Sequence, residues 1–358
     1  MHSSKRGLIK DMSKKKIIIR MSAFLALMII IDQICNFALV QPGLSRIMFH
    51  ELKQGQYNCI ILGASHGSYG LDPEIVGTEL KKNTMNMCMG GEYMIDAYYT
   101  LEYALDYNKI DEVVFDIDYQ YLVNYNDVNI LHNNVYNAYP ASVHKVGYYV
   151  KRVLGEDYRG TMLRWTNYWQ CYKYMGRTIR KKLSSEYKTY NPSVVNMNQY
   201  DSYMGEGFTF RNQHHKKDPA SCLDWNESKV SEQEIGYIKK LVSLCKKKGI
   251  KIVFTTVSQD PATVDEKESG FTAADAYISK LAQELDVTYL NFNKIRFDEY
   301  DRDSDDFYDR EGHMYGESAE KFSQLYGKYV NMALMGDETY KSAFYANIGD
   351  MVKAYKGN

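Results

Sequence analysis

The residues best equipped for chemistry lie at opposite ends of this 358-residue chain. The first is Ser65, in the run Tyr57-Asn58-Cys59-Ile60-Ile61-Leu62-Gly63-Ala64-Ser65-His66-Gly67-Ser68-Tyr69-Gly70. A short apolar strand there empties into small residues, which let a carbonyl group approach the hydroxyl and the neighbouring backbone N–H groups. The second is a loop carrying Asp305, Asp306, Asp309 and His313 before a C-terminal helix. A serine hydroxyl is a poor nucleophile at neutral pH and needs an imidazole to take its proton. The imidazole in turn needs a carboxylate to fix its tautomer. His313 suits the base, and Asp309 is the first candidate for the acid, with Asp306 and Asp305 kept as alternatives. His66 adjoins Ser65, and adjacent side chains on a tight loop usually diverge, so it is a poorer base. Gly90-Gly91, at the end of a second strand, can offer backbone N–H groups to an oxyanion formed beside Ser65, or can simply make a tight turn.

The elements that must position these residues alternate strand and helix. Strands are expected over Cys59–Leu62, Thr84–Met89, Glu112–Asp118, Ile250–Thr256 and Val287–Phe292. Helices are expected from Pro73 to about Lys82 with Asp72 as N-cap, over Glu92–Tyr107, from Ser231 to Lys248, and over Thr272–Leu285. Five such steps predict an α/β protein with a parallel sheet covered on both faces. Between about residues 119 and 230 the alternation stops, and a tyrosine-rich, partly helical insertion is expected. It holds Trp165 to Tyr174, Gly205-Glu206-Gly207-Phe208 and the His214-His215 pair, whose spacing does not suit a metal site.

Composition narrows the function classes. Forty-four Lys and Arg balance 45 Asp and Glu, which argues against a nucleic-acid partner. Six dispersed cysteines without Cys-x-x-Cys read as buried hydrophobes, with one disulfide permitted and no zinc site. Thirty-three tyrosines supply packing in the insertion, and the exposed ones would suit sugar rings. No Walker-type or Gly-x-Gly-x-x-Gly loop supports phosphate or cofactor binding, so no cofactor and no metal is expected. At the front, a basic cluster (Lys5 to Lys16) precedes an apolar run from Ile17 to Ile31, and no small-x-small cleavage site follows. This predicts an uncleaved signal anchor over 17–40, residues 1–16 in the cytoplasm and everything after it outside.

With serine after the first strand, glycines after the second and an Asp/His pair before the last helix, the chain resembles the SGNH (GDSL-like) hydrolase superfamily. The anchor, Gly63-Ala64-Ser65-His66 and the ending Asp306-Phe307-Tyr308-Asp309 with His313-Met314 and Gly316-Glu317-Ser318 are similar to its membrane-anchored DltD-like and alginate O-acetyltransferase-like branch. The resemblance covers about 58–119 and 231–335. It implies a flavodoxin-like three-layer α/β/α sandwich over 55–335, with 119–230 inserted and 336–358 a tail. It further implies Ser65 as nucleophile, His313 as base, Asp309 as acid, and Gly90 with the Ser65 N–H as oxyanion hole. Two features depart from the pattern: Asp309-x-x-x-His313 has one extra residue, and Asp116-Ile117-Asp118 stands where a Gly-x-Asn-Asp block is usual. The implied activity is a serine acyl-ester enzyme, transferase or esterase, acting on a cell-surface glycan or teichoic-acid-like polymer. The implied partner is a multi-spanning membrane O-acyltransferase. The competing expectation is a catalytically silent domain that binds glycan or docks such a partner.

Overall fold

Four residues, Cys59 to Leu62, are almost wholly withdrawn from water, and a strand buried on both faces must have neighbours on both edges. The computed structural model describes residues 2–123, 134–155, 162–214 and 225–357. In it this strand, β1 (Cys59–Leu62), lies between β2 (Thr84–Asn86) and β3 (Glu112–Asp116), in parallel register. Passing over an antiparallel hairpin of β4 (Asp201–Gly205) and β5 (Phe208–Arg211), the sheet continues with β6 (Lys251–Thr256) and β7 (Thr288–Asn291). The order β2-β1-β3-β6-β7 makes all five sheet strands parallel. From β1 the chain first goes to one side and then to the other, and the crevice this opens between the carboxyl ends of β1 and β3 is where doubly wound sheets place ligands.

Strand alternation builds two cores. Ile60, Leu62, Val113, Phe115 and Phe254 join a cluster that includes Phe49 and Leu52 of α2 (Leu44–Gln54). Cys59, Ile61, Val114 and Val253 join another that includes Val76 and Leu80 and the helix Gly316–Met335. Each fully buried aliphatic side chain of this kind contributes about 1.5–3 kcal/mol. Asp72 caps α4 (Pro73–Leu80) as expected, its carboxylate accepting from the Glu74 and Ile75 amides. Ser231 caps the helix Glu232–Lys248, but Glu234 does not close a capping box there. It is buried and accepts from Met94 N at the start of α5 (Met94–Tyr107).

The chain divides into two units, residues 1–42 with 152–195 and residues 43–151 with 196–358. Three expectations change accordingly. The sheet unit starts at Gly43 rather than 55, because α2 is part of its core. The stretch 119–230 is not one insertion, since 152–195 groups with the N-terminal helix and the β4–β5 hairpin belongs to the sheet unit. Finally, 336–358 is no tail: Ile348, Met351 and Val352 are buried, and Phe344 bridges Ile295. Of the smaller unit, α1 (His2–Leu39) is one continuous helix, and its stretch Lys14–Leu39, whose most apolar 18 residues have a mean hydropathy of 2.1, is long and apolar enough to cross a membrane.

Strand ends are shorter than the apolar runs suggested. The second strand stops at Asn86, because that side chain turns inward to bind the loop ahead, and the third stops at Asp116. Among the described residues no cysteine is paired, and Cys222 and His215 lie outside them.

Candidate active site

Ser65 opens the short helix α3 (Ser65–Gly70) directly beyond β1, half-buried at the carboxyl edge of the sheet. His313 reaches it from the far end of the chain: its Nε2 lies 2.8 Å from Ser65 Oγ. On the other side of the ring, Nδ1 lies 2.7 Å from Asp309 Oδ2. The carboxylate therefore holds the proton on Nδ1 and leaves the Nε2 lone pair facing the hydroxyl. Burial tends to raise the Asp309 pKa, but the hydrogen bonds and charge of His313, together with the charge of His66, hold this carboxyl below its ordinary value.

The extra residue in Asp309-x-x-x-His313 is absorbed by a local device. Asp309 Oδ1 accepts from the amides of Glu311, Gly312 and His313 at 3.1, 3.1 and 3.2 Å, so the carboxylate is the centre of its own turn. Gly312 sits at φ 101°, where a side chain is strained, and a Cβ there would meet Gln259 at 2.8 Å. The loop is pinched shut below by a Phe307–Met314 bridge and by Tyr308 N donating to His313 O. Neither alternative acid faces the histidine. Asp306 accepts from Ser318 Oγ and from Asp303 N, and Asp305 is exposed, with its own amide bound to Asp303.

His66 diverges from Ser65, and into a partnership that the sequence did not suggest. Its Nδ1 pairs with Asp118 at 2.9 Å and its Nε2 donates to the Glu311 carbonyl at 2.7 Å. One buried ring thus ties the end of β3 to the loop that carries His313, whose ring centre is 5.1 Å away. Burial works against a charged imidazole, but the Asp118 carboxylate prevails and raises His66 to about 9. Asp118 is correspondingly held low by that charge against its own burial. Beside the pair, burial raises Asp116 to about 7, partly offset by His66, while its carboxylate accepts from Val257 N. Glu92 is buried with neither carboxyl oxygen partnered, and burial pushes it well above the ordinary range.

Three further supports come from Asn86, Gly67 and Arg211, of which only Gly67, one of the small residues around Ser65, had a role in the sequence. Asn86 donates to the Gly67 and Leu71 carbonyls and accepts from Cys88 N, which fixes the serine loop against the loop after β2. Gly67 allows that approach, since a Cβ would stand 2.5 Å from Cys88 Sγ. Arg211 of β5 is clamped by Asp201 through two hydrogen bonds, 2.6 and 2.8 Å, between the rings of Tyr69 and Tyr308. Tyr69 in turn sets its edge against His313.

Gly90 and Gly91 lie in the turn after β2, and Met89 N bonds Gly63 O at 3.0 Å, so the turn is anchored beside the serine loop. Gly91 takes a positive φ of 79°, and the Cα of Gly90 faces open space. As for metals, Asp309, Glu311 and His313 bring one ligand atom each within 4.8 Å of one another. Two of those residues already spend their facing atoms on the 2.7 Å hydrogen bond.

These features define an α/β protein with a Ser-His-Asp constellation at the carboxyl edge of a parallel sheet. No family model matches the chain, and no curated protein matches it either.

Proposed function

We propose that the protein is a membrane-anchored serine acyl-ester enzyme of the SGNH type, transferring an acyl group to a cell-surface glycan or teichoic-acid-like polymer or releasing it to water. The observation that carries this reading is the unbroken line Ser65 Oγ, His313 Nε2, His313 Nδ1, Asp309 Oδ2, with steps of 2.8 and 2.7 Å on half-buried side chains. Ser65 Oγ attacks the acyl carbonyl carbon as His313 Nε2 takes the hydroxyl proton. The same nitrogen returns that proton to the departing alcohol oxygen as the acyl ester on Ser65 forms. A glycan hydroxyl or a water then attacks the ester, passing its proton to His313, and Ser65 recovers it on release. The Ser65 and Gly90 amides are the proposed oxyanion donors. A flavodoxin-like sandwich suits this chemistry, since the strand order puts the serine beside the reversal point of the sheet.

The length and hydropathy of α1 support single-pass anchoring, and the lysines ahead of its apolar stretch support an outward-facing domain. A multi-spanning O-acyltransferase would supply acyl groups from inside. The deciding experiment is labelling of the full chain with a fluorophosphonate probe. Labelling that disappears in Ser65→Ala and in His313→Ala supports the enzyme. A wild-type chain that never labels, or a His313→Ala chain that labels as fast as wild type, sinks it in favour of a silent glycan-binding domain.

A further inference from the structure

The aromatic segment Trp165 to Tyr174 groups with α1 rather than with the sheet unit. Residues Arg164–Tyr174 form a 3-10 helix that continues into the helix Met175–Leu183, and both pack on α1 within one unit. The attachment point is specific: Lys182 Nζ donates to the Asn36 and Phe37 carbonyls at 3.0 and 2.9 Å, neutralising the last turns of α1, and lies over the Phe37 ring. That point coincides with a length set by physics. A bilayer core of about 30 Å takes about 20 helical residues at about 1.5 Å each, and counted from Ile17, the first residue after Lys14-Lys15-Lys16, it ends near Asn36.

What surrounds this end has the composition of a bilayer interface. Trp169 and Tyr172 are each 63% exposed, and Met162 and Leu183 are 51% and 65% exposed. Trp165, Trp169 and Tyr172 touch in a row. Over residues 162–190 seven Lys and Arg face a single carboxylate, Glu186. Aromatic rings with one polar edge settle at the headgroup level, and cations there meet lipid phosphates. We infer that residues 162–183 form an interfacial collar around the C-terminal end of the membrane span, with Trp165, Trp169 and Tyr172 in the headgroup layer and the exposed Arg177 and Arg180 on anionic lipid. The inference rests on the membrane-anchored reading but not on the serine chemistry.

Two of the three tryptophans in the chain are in the collar, and Trp225 is elsewhere, against Tyr277. The full chain carrying Trp225→Phe is therefore reconstituted in phosphatidylcholine–phosphatidylglycerol vesicles whose lipids are brominated near either the headgroup or the methyl end of the acyl chain. Chain that floats with the vesicles should show blue-shifted emission, quenched about twofold or more by the shallow bromines and less by the deep ones. Double replacement of Arg177 and Arg180 by Gln should weaken the shallow quenching in anionic vesicles. Chain that floats yet shows water-exposed emission untouched by either bromolipid overturns the collar, as expected if the segment instead covers a transmembrane protein partner. Chain that does not float overturns the anchor and the collar together, while fluorophosphonate labelling of the same sample reports on the serine separately.

Discussion

Asp309 and Asp118 hold the two imidazoles, His313 and His66, by different means. Asp309 fixes a tautomer, so Asp309→Asn keeps the shape of the turn but favours the proton on the wrong nitrogen. Turnover of an ester substrate should fall about a thousandfold or more, against little change for Asp306→Asn, whose carboxylate serves Ser318. Steady-state rates of the two variants decide this, and a larger loss at Asp306 would move the acid there. Asp118 fixes a charge on His66. Its folded pKa of about 9 exceeds the ordinary value of 6.5, so its stabilising contribution is complete below about pH 6.5 and is lost as pH rises through about 9. Wild-type unfolding free energy should thus decline over that window, by up to about 1.4 kcal/mol per pH unit, more steeply than in His66→Gln. Parallel slopes in urea titrations at several pH values would show that the ring is neutral.

Among the elements, the contact of α3 with the loop after β2 is the tightest fit near the serine. A methyl group at Gly67 would press on Cys88, so Gly67→Ala should cost about 1–3 kcal/mol, and adding Cys88→Ala should recover part of it. Thermal unfolding of the single and double variants measures this, and additive losses would place the strain elsewhere. The elements around the serine were legible in the sequence because their signals are local: an apolar run ending in small residues, and a Pro after an N-capping Asp. The β4–β5 hairpin was not foreseen, although its turn, Glu206-Gly207, takes positive φ at both positions and sits between alternating aromatics. Arg211 was missed with it. His66 was set aside on sound local grounds, since it does diverge from Ser65. What it diverges toward, Asp118 and the Glu311 carbonyl, is a contact across 245 residues to the latter and has no local signature. The tyrosines divide in the same way: Tyr103, Tyr119, Tyr139 and Tyr148 are core, which an amphipathic ring permits and sequence alone does not reveal.

For the molecule as a whole, orientation is the property that all else depends on. A protease-cleavable tag at residue 3 should be protected in intact cells, and one after Asn358 should be cut, because the lysines precede the apolar run. Cleavage of the front tag alone would invert the assignment. The hydroxyl and its proposed base are 248 residues apart, which gives the site an order in time. At about 5–20 residues per second, Ser65 leaves the ribosome roughly 12–50 s before His313. In the proposed outward orientation the serine would cross the membrane as an ordinary alcohol and would acquire its proposed base only when the turn carrying His313 docks beside α3. On that proposal, a chain stopped before residue 300 should cross the membrane and yet stay unreactive toward fluorophosphonate, whereas labelling of the shortened chain would show that Ser65 needs no partner from the C-terminal end.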